Sequence, residues 1–203
     1  MSAYPLVLDG AAVNALVIGG GRVAVRKVTA LLESGARVRV LAPQVDPALE
    51  DLQGRNTSLA IIREPYSVGR LGDALLVVAA TNDSQVNARI ASEARACGKL
   101  VNVVGAPELG NCITPAVHRA GELVVAVSAG GVPAAAARIR DSIAHVFDER
   151  YSRAVRGLAD LRRALLDGGR RDRWRDAAGA LVTPDFCEQV ESGRFADRIE
   201  EWR

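Results

Sequence analysis

A chain of 203 residues, 49 % of them hydrophobic, carries enough apolar surface to bury a core without disulfides or a structural metal. Its three cysteines, Cys97, Cys112 and Cys187, contain no CxxC pair, so neither a zinc site nor a disulfide framework is signalled and a reducing compartment is expected. A net charge of +2 is too small to imply a nucleic-acid partner. With no leader-like start and no apolar run of about 20 residues, a soluble, cytoplasmic protein without membrane attachment is expected.

In chain order, Ala15–Ile18 reads as a short buried strand, apolar and bounded by glycine or turn residues. Val25, Val28, Leu31 and Leu32 then recur at helical spacing, and Gly35 is placed to end that helix. Arg37–Leu41 and Leu59–Ile62 are the next strands, followed by an apolar run over Ala74–Ala80. Val86–Ala96 reads as a helix closed by Gly98, and Leu100–Val104 as a strand. Strands alternating with helices predict an α/β fold, a Rossmann-like parallel sheet with helices on both faces. After the turn-rich segment Gly105–Asn111, strand character resumes over Ile113–Val117 and Leu123–Val127. From Pro133 the pattern is helical, with a break at Asp167-Gly168-Gly169 and a helix start near Thr183-Pro184.

The strongest chemical signal is Gly19-Gly20-Gly21-Arg22-Val23-Ala24, a G-x-G-x-x-A turn that follows a strand and opens a helix. Gly19 allows the tight turn, Gly21 lets a diphosphate approach the backbone, and Ala24 lets helix and strand pack closely. A bare glycine turn is weak evidence, but the flanking strand, helix and strand favour nucleotide binding. The tip of the second strand, Leu41-Ala42-Pro43-Gln44, carries no acid for a ribose, and the first carboxylate beyond is Asp46. Arg22 is either a partner for a 2′-phosphate or a surface residue, so NAD against NADP stays open on residue chemistry. Thr81-Asn82-Asp83 sits where ligands collect at a strand's carboxyl end and equally where a helix cap is needed. The arginine-rich stretch from Arg150 to Arg175 is a solvated helical face or an anion site.

Together, Tyr4-Pro5-Leu6-Val7-Leu8, Val17–Ala24 with Arg26-Lys27, Ala79–Asp83, Val101–Val104 and Val125–Gly131 resemble the precorrin-2 dehydrogenase family, which includes the N-terminal half of sirohaem synthases. The resemblance implies an NAD-dependent oxidation of precorrin-2 to sirohydrochlorin, in some members joined by ferrous iron insertion. It also implies a homodimer, with a Rossmann domain over 1–112, a dimerisation segment over 113–146 and a helical domain over 147–203 that covers the tetrapyrrole. On that likeness Gly19, Gly20, Gly21, Arg22 and Val23 hold the pyrophosphate, Pro43 and Gln44 line the adenosine side, and Ala80, Thr81 and Val103 lie along the cofactor. Ser128, with Gly130 and Gly131, matches a serine facing the substrate cavity; its alternative is a helix cap before Pro133.

One position departs from the family. After the Asn-Val-Val strand the family carries an aspartate regarded as the acid or base, and here it is Gly105. Such a group ordinarily contributes roughly 10²–10⁴ in rate. The readings left open are substitution by Glu108, Asn111 or His118, an altered form, or an aspartate less needed than supposed. His118 and His145 are the only histidines and have no partner at ligand spacing, so no metal site is expected. The rival functions are a sirohydrochlorin ferrochelatase, a lyase, and a silent carrier of dinucleotide or tetrapyrrole.

Overall fold

The computed structural model describes residues 3–203 and divides into two compact units, one ending at Thr114 and the other spanning Pro115–Arg203. The segments 115–146 and 147–203 therefore belong to one unit. Among the described residues no helix is long and apolar enough to cross a membrane.

The first unit runs β1 (Asn14–Ile18), α1 (Arg22–Glu33), β2 (Arg37–Leu41), α2 (Pro47–Arg55), β3 (Leu59–Ile62), β4 (Leu76–Ala79), α3 (Ser84–Ala96) and β5 (Leu100–Val103). All pairings are parallel, in the order β3-β2-β1-β4-β5. The chain leaves β1 through α1 toward β2, whereas β4 lies on the opposite side of β1. That reversal opens a crevice at the carboxyl ends of β1 and β4.

Both faces of the sheet are buried, which explains strands that read as continuous apolar runs. Alternation sorts them: Ala15, Val17, Val38, Val40, Leu76 and Val78 pack with Ala24 and Val28 of α1 and Leu49 of α2. Leu16, Ile18, Leu41, Val77, Ala79, Val101 and Val103 pack with Ile90, Ala91 and Ala94 of α3. Each fully buried Val, Leu or Ile side chain stabilises the fold by roughly 1.5–3 kcal/mol.

Helix α1 stops where its backbone turns left-handed at Gly35, φ +86. Gly35 N–H donates to Leu32 O and Ala36 N–H to Leu31 O, so two terminal carbonyls are satisfied by the turn itself. Helix α3 ends the same way at Gly98. Helix α2 has no counterpart among the sequence-predicted elements. Its signal is short: Asp46 accepts from Ala48 N–H at 3.0 Å, and Pro47 occupies the first helical position, where no N–H is needed.

The second unit opens with the antiparallel hairpin β6 (Ala116–Ala120) and β7 (Leu123–Val127), then α4 (Pro133–Val146), α5 (Glu149–Asp167), α6 (Arg171–Leu181), α7 (Phe186–Glu191) and α8 (Phe195–Glu200). Its core gathers Tyr151, Leu161, Leu165, Leu181, Val190, Phe195 and Ile199, with Phe186 edge-on to Phe195 at 4.9 Å between ring centres. Two expectations are corrected here. The strand placed over Ile113–Val117 begins three residues later, because Asn111 and Cys112 N–H both donate to Val101 O beside β5 and Pro115 has no N–H to give a ladder. The helix expected from Thr183-Pro184 begins at Phe186; Thr183 instead donates its hydroxyl to Asp185 in the connecting turn.

Candidate dinucleotide-binding site

The carboxyl ends of β1, β2, β4 and β5 bring together most of the residues singled out in the sequence. Gly19 N–H donates to Leu41 O at 3.0 Å and Ala80 N–H to Ile18 O at 2.8 Å, so the ladder runs right up to the turn. Gly19 has φ +120, and a Cβ there would lie 2.3 Å from Ala80 O. Only glycine lets this turn lie against the end of β4. A Cβ on Gly20 would lie 2.1 Å from Gln44 O. The loop after β2 is thus packed on the glycine turn, and Asp46 N–H donates to Gly20 O at 2.7 Å.

Gly21 differs from both. Its backbone is extended, φ −86 and ψ −173, it is the N-cap of α1, and no side chain caps the helix. A Cβ on it would have no neighbour within 4 Å. The first intrahelical bond runs from Val25 N–H to Gly21 O, so the N–H groups of Arg22, Val23 and Ala24 have no acceptor within the helix. Open space before an uncapped helix start, at the positive end of the helix dipole, suits a diphosphate. The residues present fit the dinucleotide expected of them.

Around this centre Arg22 is exposed and Val23 half-buried; Pro43 and Gln44 are exposed on the loop after β2. Ala80 and Thr81 follow β4, and Val103, buried, ends β5 beside Ala79. Of the two readings of Thr81–Asp83, the cap belongs to Asp83, whose Oδ1 accepts from Gln85 and Val86 N–H at 2.8 and 3.1 Å. Thr81 is held by Asn87, a buried residue to which the sequence reading gave no role. Asp46 likewise spends one carboxylate oxygen on the start of α2.

Gly105 is exposed with φ +79, third in a four-residue turn closed by Ala106 N–H to Val103 O at 3.4 Å. This is the position of a type II turn that favours glycine. A Cβ there would meet nothing within 4 Å. Of the residues considered as substitutes, Asn111 is committed elsewhere: its Oδ1 accepts from Val101 N–H at 2.7 Å and its Nδ2 donates to Lys99 O. His118, in the second unit, pairs through Nε2 with Phe147 O. Glu108 is exposed in the short 3-10 turn Pro107–Leu109.

Ser128 and Gly130 are exposed in the second unit, and Gly130 and Gly131 both have positive φ. The alternative role of Ser128 as a cap falls away, because the N-cap of α4 is Val132 and no side chain bonds to it. Among the described residues no cluster of three or more His, Cys, Asp or Glu could hold a metal. One further group enters the sequence reading only within the family likeness, with no role of its own. Lys27 on α1 donates to Thr114 Oγ1, and burial, then the neighbouring Arg26 charge, pushes its ammonium below its usual 10.5, with Cys112 opposing. Burial in turn raises the Cys112 thiol.

A three-glycine turn, an uncapped helix start and a strand-order reversal at one end of a parallel sheet define a Rossmann-type dinucleotide-binding protein. Residues 6–116 match the family model described as NAD(P)-binding, and the chain belongs to that family. Over 191 residues it is 39 % identical to the siroheme synthase of Ectopseudomonas mendocina (strain ymp), a match covering 91 % of this chain and 38 % of that protein. Over 200 residues it is 38 % identical to the siroheme synthase of Chromobacterium violaceum, covering 98 % of this chain and 41 % of that one. The chain thus spans about two fifths of the length of these relatives. Among solved structures, "SirC, precorrin-2 dehydrogenase" superposes with a TM-score of 0.76 at 26 % identity, covering 98 % of this chain and 100 % of that one.

Proposed function

We propose that the chain is an NAD-dependent precorrin-2 dehydrogenase that forms sirohydrochlorin in sirohaem biosynthesis. The observation that carries this is the bare N-terminus of α1 behind Gly21, read with the likeness to siroheme synthases and to a precorrin-2 dehydrogenase over nearly the whole chain.

In this reading the N–H groups of Arg22, Val23 and Ala24 hold the diphosphate, with Gly19 and Gly20 shaping the turn. Pro43 and Gln44 line the adenosine side. Ala80, Thr81 and Val103 flank the nicotinamide half, Val103 as an apolar wall that keeps water away. When bound, the dinucleotide would supply the acceptor for the hydride lost by the reduced macrocycle. The chain's own task is then to orient the two and to let a proton depart. Gly105 has no titratable group, so that proton leaves without a side chain at this position, and a slow dehydrogenase is the result. Ser128, Gly130 and Gly131 are assigned to the tetrapyrrole. The active form is assigned as a cytoplasmic homodimer, with segment 113–146 in the dimer contact and 147–203 covering the substrate.

Incubating the purified protein with precorrin-2 and NAD tests the assignment. Sirohydrochlorin and NADH should appear in equal amounts. A protein that binds NAD yet yields neither product at any concentration overturns the activity.

A further inference from the structure

Asn87 is a polar residue 6 % exposed on α3, the helix that buries Ile90, Ala91 and Ala94. A buried amide is costly unless its donors and acceptor are used. Asn87 spends its side chain on one residue, Thr81. Thr81 N–H donates to Asn87 Oδ1 at 3.2 Å, Thr81 Oγ1 donates to the same oxygen at 2.8 Å, and Asn87 Nδ2 donates to Thr81 O at 3.0 Å. The amide therefore stands in for the peptide of a neighbouring strand, satisfying donor and acceptor of Thr81 where the ladder of β4 has ended.

The place matters. Ala80 O and Thr81 N lie 2.3 and 3.0 Å from where a Cβ on Gly19 would sit, so the Ala80–Thr81 peptide faces the glycine turn across the β1/β4 reversal. Asp83 makes no bond to this peptide: its Oδ1 caps α3, and its backbone N–H and C=O bond the Thr81 hydroxyl. We infer that Asn87 is a positioning residue for the dinucleotide: its amide fixes the Ala80–Thr81 peptide at the depth the nicotinamide half requires as it crosses from β1 to β4. The inference rests on the dinucleotide reading of the site. It separates the two halves of the ligand, since the adenosine diphosphate half lies on Gly21 and the loop after β2, away from Thr81.

The test is calorimetric titration of wild type, Asn87→Asp and Asn87→Ala with NAD and, separately, with ADP. The aspartate sets an oxygen against Thr81 O in place of a donor. The alanine, a good helix former, retains a foldable α3 should the aspartate variant not fold. The expected result is NAD binding weakened about 10- to 100-fold with ADP binding changed less than about twofold. Equal weakening of both ligands, or a lower unfolding temperature with both affinities unchanged, makes Asn87 a structural residue only and overturns the inference. A wild-type protein that binds no NAD overturns the dinucleotide reading instead, so the two failures are distinguishable.

Discussion

Replacing Gly21 by alanine separates the fold from the ligand site. The wild-type backbone there, φ −86 and ψ −173, is one that alanine adopts freely, and the new Cβ meets no atom of the chain within 4 Å. The structural cost is the poorer N-cap, at most about 1 kcal/mol, or about 2–4 °C in unfolding temperature for a chain of this size. In the proposed binding mode the cost to binding is larger, because that Cβ takes up open space before the helix start that is assigned to the diphosphate. Two lost hydrogen bonds to a charged group, at roughly 1.5–3 kcal/mol each, weaken NAD by about 10²–10⁴-fold. Gly19→Ala provides the contrast: φ +120 and a Cβ 2.3 Å from Ala80 O strain the turn itself by about 1–3 kcal/mol, so stability falls along with binding. Thermal unfolding by circular dichroism and calorimetric titration with NAD measure the two quantities. A Gly21→Ala protein that melts within a few degrees of wild type and binds NAD equally well refutes the placement of the diphosphate.

Other expectations follow from single residues. Gly105→Asp places a carboxylate in open space at φ +79, at a strain cost of about 1 kcal/mol, since aspartate tolerates this region better than most residues. Initial rates of NADH formation should rise by about 10²-fold or more, and an unchanged rate means the site needs more than its missing acid. Lys27 has a folded pKa below its usual 10.5, so the unfolded chain holds more protons between those two values and stability rises with pH across that window. Lys27→Met should accordingly unfold at a higher temperature than wild type at neutral pH, with the gap closing as pH approaches 10.5. Tyr66 and Tyr151, both pushed up by burial, impose the opposite alkaline slope on both proteins and cancel in the comparison. Asp83→Ala removes the two cap bonds of α3 and should lower stability by about 1 kcal/mol, read as a shifted midpoint in urea with an unchanged slope.

Much of the first unit was legible because its signals are local. β-branched runs mark strands buried on both faces, and Arg37–Leu41, Leu59–Ile62 and Leu123–Val127 appear with the bounds their apolar patterns predict. Gly35 and Gly98 end helices because a positive φ is cheap only for glycine. Helix α2 was missed although Asp46-Pro47 announces it, since its nine residues bury only Leu49 fully and leave little apolar periodicity to read. The strand expected at Ile113 starts late for a partly non-local reason: the residues just before it, Asn111 and Cys112, are bonded to Val101 in β5, and Pro115 has no N–H for a ladder.

The sequence alone determined the βαβ unit, the glycine turn and the absence of a carboxylate at position 105, because each depends on residues adjacent in the chain. Strand order, and with it the crevice between β1 and β4, was decided only by tertiary structure, as were the packing of Gln44 on Gly20 and the division of labour between Asp83 and Asn87. Those features depend on which groups meet across the sheet, and hydrophobic pattern specifies that a strand is buried without specifying its neighbour. The three adjacent glycines show the difference: alike in sequence, two are required by contacts the fold makes, whereas a Cβ on the third, Gly21, would meet nothing within 4 Å.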